Sequence, residues 1–500
     1  MTRSTLDRAV RVNLAYGLTN NLVLRAGSLV LGIVLARLLA PVDFGVFAIA
    51  LTVQAVLVNI TDLGLTAYLV REGSEIRERA PTVLSMGLLA GGCAAGAMWA
   101  LAPVLANAMG GPEATSAVRV MALTLVLTGL SSPPAAILQH EFRQSRQLLA
   151  DMTGFVVNVA TVIPMVLAGL GAMSLAWSRV AAQLVAVIML CLMSGYRPKP
   201  GFNLPMARNA LRFGLPVGGA NLLSWALLNT DYVLVGRFLG PTALGFYVMA
   251  FNIASWPTSA LAQGLRAVAL PAFSRLDRAG ADPPVRRRVV ANTAALTLGT
   301  TVPIGAAIIV LAGPIIHVVY GSRWDPAAGP LAVLGLFGII RPLFDLWATY
   351  LTARGRTVSV LMVQVAWIAA LIPALLVGIH LDGTTGAGWA HVAVAVLVVT
   401  PAYLVALRRD CIRPGPVLRR MSVPLGTGIV AAAVGAAVAT RPWNEWWIVL
   451  GGGLAVTASY AALTLPWLRG VLRDLRRGPE EPPLTNLMMP TREQELADDL

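Results

Sequence analysis

The sequence predicts an all-α, polytopic membrane protein of about 14 transmembrane helices, arranged as two six-helix lobes related by an internal repeat plus two additional helices. Three observations carry this prediction. The first is composition. Of 500 residues 57% are hydrophobic and 12% are charged, and the mean hydropathy is +0.72, so too little polar surface exists to cover a soluble core of this size. The second is the length of the apolar runs. They are continuous over about 20 residues, which a helix needs to cross a hydrocarbon core about 30 Å thick, and they lack the short alternation of a membrane barrel. The third is duplication. Arg37-Leu-Leu-Ala-Pro41-Val-Asp-Phe-Gly45 returns 200 residues later as Arg237-Phe-Leu-Gly-Pro241-Thr-Ala-Leu-Gly245. At the same offset Asn21 matches Asn221, Leu22 matches Leu222, Ala26 matches Ala226, Ala50 matches Ala250 and Gly64 matches Gly264.

Taken in order, the candidate spans are 13–38, 45–69, 82–108, 115–138, 149–170, 172–195, 214–238, 244–270, 290–312, 327–352, 357–380, 386–407, 422–440 and 445–467. Six spans separate the two copies, an even number, so both copies keep one orientation and a pseudo-two-fold axis along the membrane normal is expected. The corresponding division is a cytoplasmic N-terminus at 1–12, a first lobe at 13–195, a linker at 196–213, a second lobe at 214–407, two further helices at 408–468 and a disordered tail at 469–500.

Arginine sets the direction. With the N-terminus cytoplasmic, inside connections hold Arg71, Arg77 and Arg79, then Arg143 and Arg146, then Arg286, Arg287 and Arg288, then Arg408, Arg409 and Arg413, among others. Outside connections hold only Arg37, Arg119, Arg237, Arg323 and Arg441. This asymmetry places both termini inside a bacterial inner membrane. Trp324, Trp443, Trp446 and Trp447 are then expected at the outer interface, where amphipathic rings are favoured.

The formal charge of +14 does not imply nucleic acid, because the basic residues, of which only Lys199 is lysine, are spread over short connections without interleaved aromatics. Cys93, Cys191 and Cys411 lie far apart and form no disulfide framework, and four scattered histidines do not form a metal site. No cofactor is implied. The basic opening followed by a long first span reads as a retained helix, not a cleaved signal peptide.

A charge within a span is costly, so each is a functional candidate. Arg25 falls near the middle of the first span with Asn21 one turn before it; the second copy has Asn221, Trp225 and Asn229. These stripes suit two helices facing one cavity. For Arg25 two readings stand, a substrate contact and a pair with a buried carboxylate. Asp231 either binds a coupling cation (H+ or Na+) or pairs with Arg237 or another arginine. Arg341 and Asp345 are spaced for an intrahelical ion pair across Pro342, and Asp345 is a second ion-coupling candidate. Gln54, Asn59, Asn158, Gln263, Gln364 and His391 read as single interhelical hydrogen-bonding groups. No nucleophile elbow, phosphate loop or Asp-x-Asp pair is present, which argues against an enzyme.

The basic N-terminus, the Arg37–Gly45 hairpin, Asp62-Leu-Gly-Leu, the run from Asn229 to Pro241 and Gly245-Phe-Tyr-Val-Met-Ala250 resemble Wzx-type polysaccharide flippases of the multidrug/oligosaccharidyl-lipid/polysaccharide superfamily. The resemblance covers residues 8–470. It implies two six-helix lobes in a V and alternating access that moves an undecaprenyl-diphosphate-linked oligosaccharide to the outer leaflet for exopolysaccharide, O-antigen or capsule synthesis. Cavity arginines would hold the diphosphate, with Arg25 first, Arg341 in support, and Arg179 and Arg266 as weaker candidates. Membrane lipids, a polysaccharide polymerase and glycosyltransferases are the implied partners. The alternatives are multidrug efflux, flipping of a lipid-linked peptidoglycan precursor, and a membrane glycosyltransferase or polymerase, for which no large outer loop is found.

Overall fold

The computed structural model describes residues 27–62, 64–72, 75–278 and 282–476; within these, nothing is described of the side chain of Asn221 or of 256–272, which include Gln263 and Arg266. Asn21 and Arg25 precede Gly27 and lie outside the described residues, as do segments 1–12 and 477–500.

Helix α1 (Gly27–Leu38) turns into α2 (Pro41–Asp62), whose first residue is a proline with φ already suited to a helix start. Asp43 fixes this corner. Its carboxylate accepts the Ala40 N–H at 3.1 Å and the Ala172 N–H at 2.9 Å, so it serves two chain segments at once. The second span was expected to run from 45 to 69. It stops at Asp62, Gly64 adopts a positive φ of 65°, and a short helix α3 (Leu65–Glu72) leaves at an angle.

Helices α4 (Ile76–Ala108), α5 (Thr115–His140), α6 (Gln144–Leu167) and α7 (Ala172–Ser194) follow, with α4 on α5, α5 on α7 and α6 on α7. The long element α8 (Leu204–Arg278) is broken at Gly240, whose φ of 81° folds the chain back on itself. Then come α9 (Pro283–Ile315), α10 (Ala328–Ala353), α11 (Thr357–Val394), α12 (Thr400–Arg409), α13 (Pro414–Ala439) and α14 (Glu445–Arg476). Non-helical torsions at Asp382 and Gly383 split α11 into a second hairpin, in which the backbones of Gly378 and Gly386 pack against each other.

Eleven helical stretches among the described residues are long and apolar enough to cross a membrane. Two of these contain the folds at Gly240 and Gly383, and α1 adds a shorter apolar helix, so each expected span falls largely on helix where its residues are described. No strand occurs among the described residues. Helices α13 and α14 pack on each other and on α9.

The two copies of the duplicated hairpin meet. Gly45 lies against the carbonyl of Pro241, and Gly245 lies against the carbonyl of Pro41, each too close to admit a Cβ. Because 45 and 245, and 41 and 241, are equivalent positions, this reciprocal contact is what a local pseudo-two-fold axis requires. The neighbouring loops continue the exchange. Gly110 packs on the carbonyls of Gly236 and Arg237, while Arg37 donates from Nε to the Val319 carbonyl at 2.9 Å and from a terminal nitrogen to that of Val318.

Trp324 does not sit at a lipid interface. It is fully buried, donates its indole N–H to the Ala36 carbonyl at 2.8 Å, and meets Phe44 and Phe246 edge-on. The turn after α9 folds inward over the end of α1, and a buried indole with its one donor satisfied is stable there. Trp443, Trp446 and Trp447 are exposed, as expected of interfacial rings.

Candidate functional site

A cavity of about 650 Å³ opens among α1, α2, α5, α6, α7 and the first limb of α8. Its position follows from helix direction. Asn59 is near the far end of α2, Asp151 is two turns into α6, and Gln183 lies in the second half of α7, so the cavity occupies the part of the bundle away from the Pro41–Pro241 crossing. At the crossing end the glycine contacts, Trp324 and Arg37 close the bundle.

Arg179 supplies the guanidinium of this cavity. It sits two turns into α7, is accessible to the lumen, and has no hydrogen bond or ion pair with any described residue. The remaining polar lining is mostly neutral: Gln54, Asn59, Thr128, Asn158 and Gln183, with Asp151 as the one carboxylate among the described lining residues. Part of this set is held in place by a ladder across three helices. Gln54 donates to Thr124 Oγ1 at 2.7 Å, and Gln183 donates to Thr128 Oγ1 at 3.0 Å and to the Thr124 carbonyl at 3.2 Å. Amide groups locked in this way keep their orientation inside a low-dielectric bundle, where an unpaired amide is costly.

Trp225 lines the cavity from the second copy, as its place on the stripe predicts. Asn229 does not reach it; its amide donates to the Trp225 carbonyl one turn back, at 2.9 Å. Arg341 also lies elsewhere. Its guanidinium carbon stands 6.0 Å from the Phe251 ring centroid and makes no ion pair with Asp345, which is half-buried further along α10. The spacing allowed the pair, but the aromatic face competes for the planar cation. Asn59 and Asn158 belong to the cavity wall as well as to the helix packing. Arg179 was legible by the rule that singled out Arg25, a charge within a span.

The second half contains a different cluster. Asp231 is 1% exposed and does not pair with Arg237, which is exposed. Its carboxylate accepts hydrogen bonds from the Tyr247 hydroxyl at 3.0 Å and the Tyr232 N–H at 2.9 Å, and its Oδ2 lies 3.2 Å from His391 Nε2. The fold at Gly240 is what returns Tyr247 to Asp231, sixteen residues on. His391 reaches in from α11 between Phe337 and Phe251, and its Nδ1 is buried without a partner. A buried carboxylate and an imidazole in hydrogen-bond contact inside an apolar helix bundle form a polar cluster, with Tyr232, Tyr247 and Arg341 among its described neighbours.

Residues 34–329 match the protein family described as polysaccharide biosynthesis protein. The chain belongs to this polysaccharide biosynthesis family. Among the family's relatives, the succinoglycan biosynthesis transport protein ExoT of Rhizobium meliloti is 27% identical over 310 residues, and the alignment spans 62% of each chain. The chain thus matches less than two thirds of that relative's length. The lipopolysaccharide biosynthesis protein WzxC of Escherichia coli is 22% identical over 388 residues, which cover 75% of this chain and 76% of WzxC. In fold, this member of the polysaccharide biosynthesis family is similar to lipid II flippase MurJ in its inward closed conformation, with a TM-score of 0.75 at 14% identity over 91% of this chain and 99% of MurJ. It is also similar to an inward-facing multidrug resistance MATE family transporter of the MOP superfamily, with a TM-score of 0.60 at 15% identity over 77% and 93% of the two chains.

Proposed function

We propose that this protein is a flippase that carries an undecaprenyl-diphosphate-linked oligosaccharide from the cytoplasmic to the outer leaflet during surface polysaccharide synthesis, by alternating access. The observation that carries this reading is Arg179, an unpaired guanidinium facing a cavity of about 650 Å³ walled by amides and hydroxyls. A planar fork that stays charged when desolvated suits a diphosphate, and neutral amides suit sugar hydroxyls. Bare hydrocarbon would make the headgroup's passage prohibitive. Residues 13–195 and 214–407 act as the two lobes, with 408–468 as the added pair of helices.

The arginine asymmetry of the connections supports an orientation in a bacterial inner membrane with the far ends of α2 and α7 and both termini on the cytoplasmic side. In that orientation the cavity is on the cytoplasmic side and the Pro41–Pro241 crossing seals the outer side. Arg25 is assigned to the same anionic subsite. Asp231 with His391 is assigned as the proton-coupling element, and a polymerase and glycosyltransferases as partners. Efflux of organic cations has Asp151, Phe155 and Trp225 in its favour, since all three line the same cavity.

The test is a deletion strain complemented by wild type or Arg179→Ala at equal membrane level. Prenyl-diphosphate-linked oligosaccharide is quantified by mass spectrometry, with glycosidase access reporting its leaflet. Accumulation confined to the cytoplasmic leaflet in the deletion and the variant is expected. No accumulation, with raised sensitivity to cationic dyes, would replace the reading by drug efflux.

A further inference from the structure

A second cationic cavity lies far from the one described above. It measures about 490 Å³ and is lined by Pro283, Pro284 and Arg287 at the start of α9 and by Arg408, Cys411 and Arg413 around the α12–α13 turn. Such a volume falls in the range of about 300–1,000 Å³ typical of small-ligand sites.

The charge in this cavity is not neutralised by the protein. Arg287, Arg408 and Arg413 have no hydrogen bond or ion pair with any described residue. The neighbouring carboxylate, Asp410, is already engaged: Tyr350 donates to it at 2.6 Å, Arg354 Nε stands at 3.1 Å and Arg356 Nε at 3.3 Å. Arg286, next to Arg287, has its Nε buried without a partner. Arg287 lies in the second turn of α9, whose N-cap is Asp282 and whose first turn contains no acidic residue. Three guanidiniums gathered around one cavity whose described lining contains no carboxylate form a site suited to an anion.

Exposed apolar side chains within about a turn of the lining arginines along the chain indicate which anion. Val405, one turn before Arg408 on the same face of α12, is 51% exposed, and Leu418 on α13 is 43% exposed. Both lie on apolar helices at the ends that carry the arginines, so acyl chains along Val405 and Leu418 would place a headgroup phosphate among the guanidiniums. A soluble phosphate would use the arginines and leave the apolar flank unused. We propose that the Arg287–Arg408–Arg413 cavity is a headgroup site for an anionic phospholipid, bound through its phosphodiester. The inference is independent of the cargo reading.

Cys411 lines the cavity and serves as a built-in reporter. The full-length protein is reconstituted in phosphatidylcholine vesicles with or without phosphatidylglycerol, and alkylation of Cys411 by a maleimide is followed by peptide mass spectrometry. The expected result is severalfold slower alkylation with phosphatidylglycerol in wild type and no such protection in the R287Q/R408Q/R413Q variant. Retention of phosphatidylglycerol by the detergent-purified protein, read by native mass spectrometry, should weaken roughly fivefold for each arginine removed. Equal protection and equal retention in wild type and variant would overturn the proposal. Protection by millimolar inorganic phosphate in pure phosphatidylcholine vesicles would also overturn it, in favour of a soluble phosphate. Should the triple variant not insert, the wild-type comparison of the two vesicle types and phosphate decides alone.

Discussion

Gly45 rests on the carbonyl of Pro241, the proline of the second copy of its own motif. Its equivalent Gly245 rests on Pro41, so two copies of one hairpin cross through their smallest residues. A methyl group at either position has to push against backbone, which cannot rotate away. Gly45→Ala and Gly245→Ala are therefore each expected to cost about 1–3 kcal/mol and to favour separation of this end. Thermal unfolding of the purified protein, with cysteine cross-linking across the crossing, checks both effects; unchanged cross-linking and unchanged melting would contradict them.

Arg179 is expected to behave as a charged fork and not as a packing residue. Arg179→Ala should lower transport by roughly 10- to 100-fold at equal protein level, the loss of one charge-assisted contact of about 1.5–3 kcal/mol. Arg179→Lys should recover only part of it, because a point charge lacks the bidentate geometry. Leaflet assays of lipid-linked oligosaccharide on the variants supply the measurement.

For the Asp231–His391 pair the expected readout is coupling to an ion gradient. Transport by wild type should respond to an imposed proton gradient, whereas Asp231→Asn and His391→Gln should each lose that response. The double variant should match either single variant, since both groups act in one site. A gradient response kept by Asp231→Asn would assign the cluster to packing.

Asp410 outside the membrane gives a stability prediction with a definite sign. Burial pushes its carboxyl upward, but hydrogen bonds from Tyr350 and Arg354 and the charges of Arg354 and Arg356 outweigh that, leaving it below the ordinary carboxylate value. A carboxylate depressed in the folded state stabilises fully above its unfolded value of about 4 and loses this contribution as pH falls through the folded value. Asp410→Asn should lower stability by about 2 kcal/mol near neutrality and should remove this component of acid sensitivity, as melting curves at several pH values would reveal.

Much of the fold could be read from the chain because hydropathy and arginine placement are local signals. The Arg37–Gly45 repeat was legible as a duplication, and its even spacing gave a two-fold relation. That Gly45 and Pro241 touch was not legible, since contact between equivalent loops depends on how two bundles meet. Trp324 has the composition of an interface residue, and only the inward fold of its turn makes it a plug. Trp225 was found from its stripe. Asp231 was legible as an acid within a span, but its contact with His391 was not, because His391 arrives from another hairpin 160 residues away. Arg25, ranked first, lies outside the described residues, and Arg179 carries the charge that is seen in the cavity.

The closed crossing of α2 and α8 has an electrical consequence. Packed backbone at one end and an open, polar-lined cavity that water can enter at the other mean that the transmembrane voltage drops mainly across the short closed segment, not across the whole bilayer. In the proposed orientation a diphosphate beside Arg179 still sits near the cytoplasmic potential. It meets the field only when the seal changes sides, and each negative charge then moves outward with a gain of about 2.3 kcal/mol per 100 mV of inside-negative voltage. The seal thus concentrates the work of the membrane potential into the single step that commits the cargo.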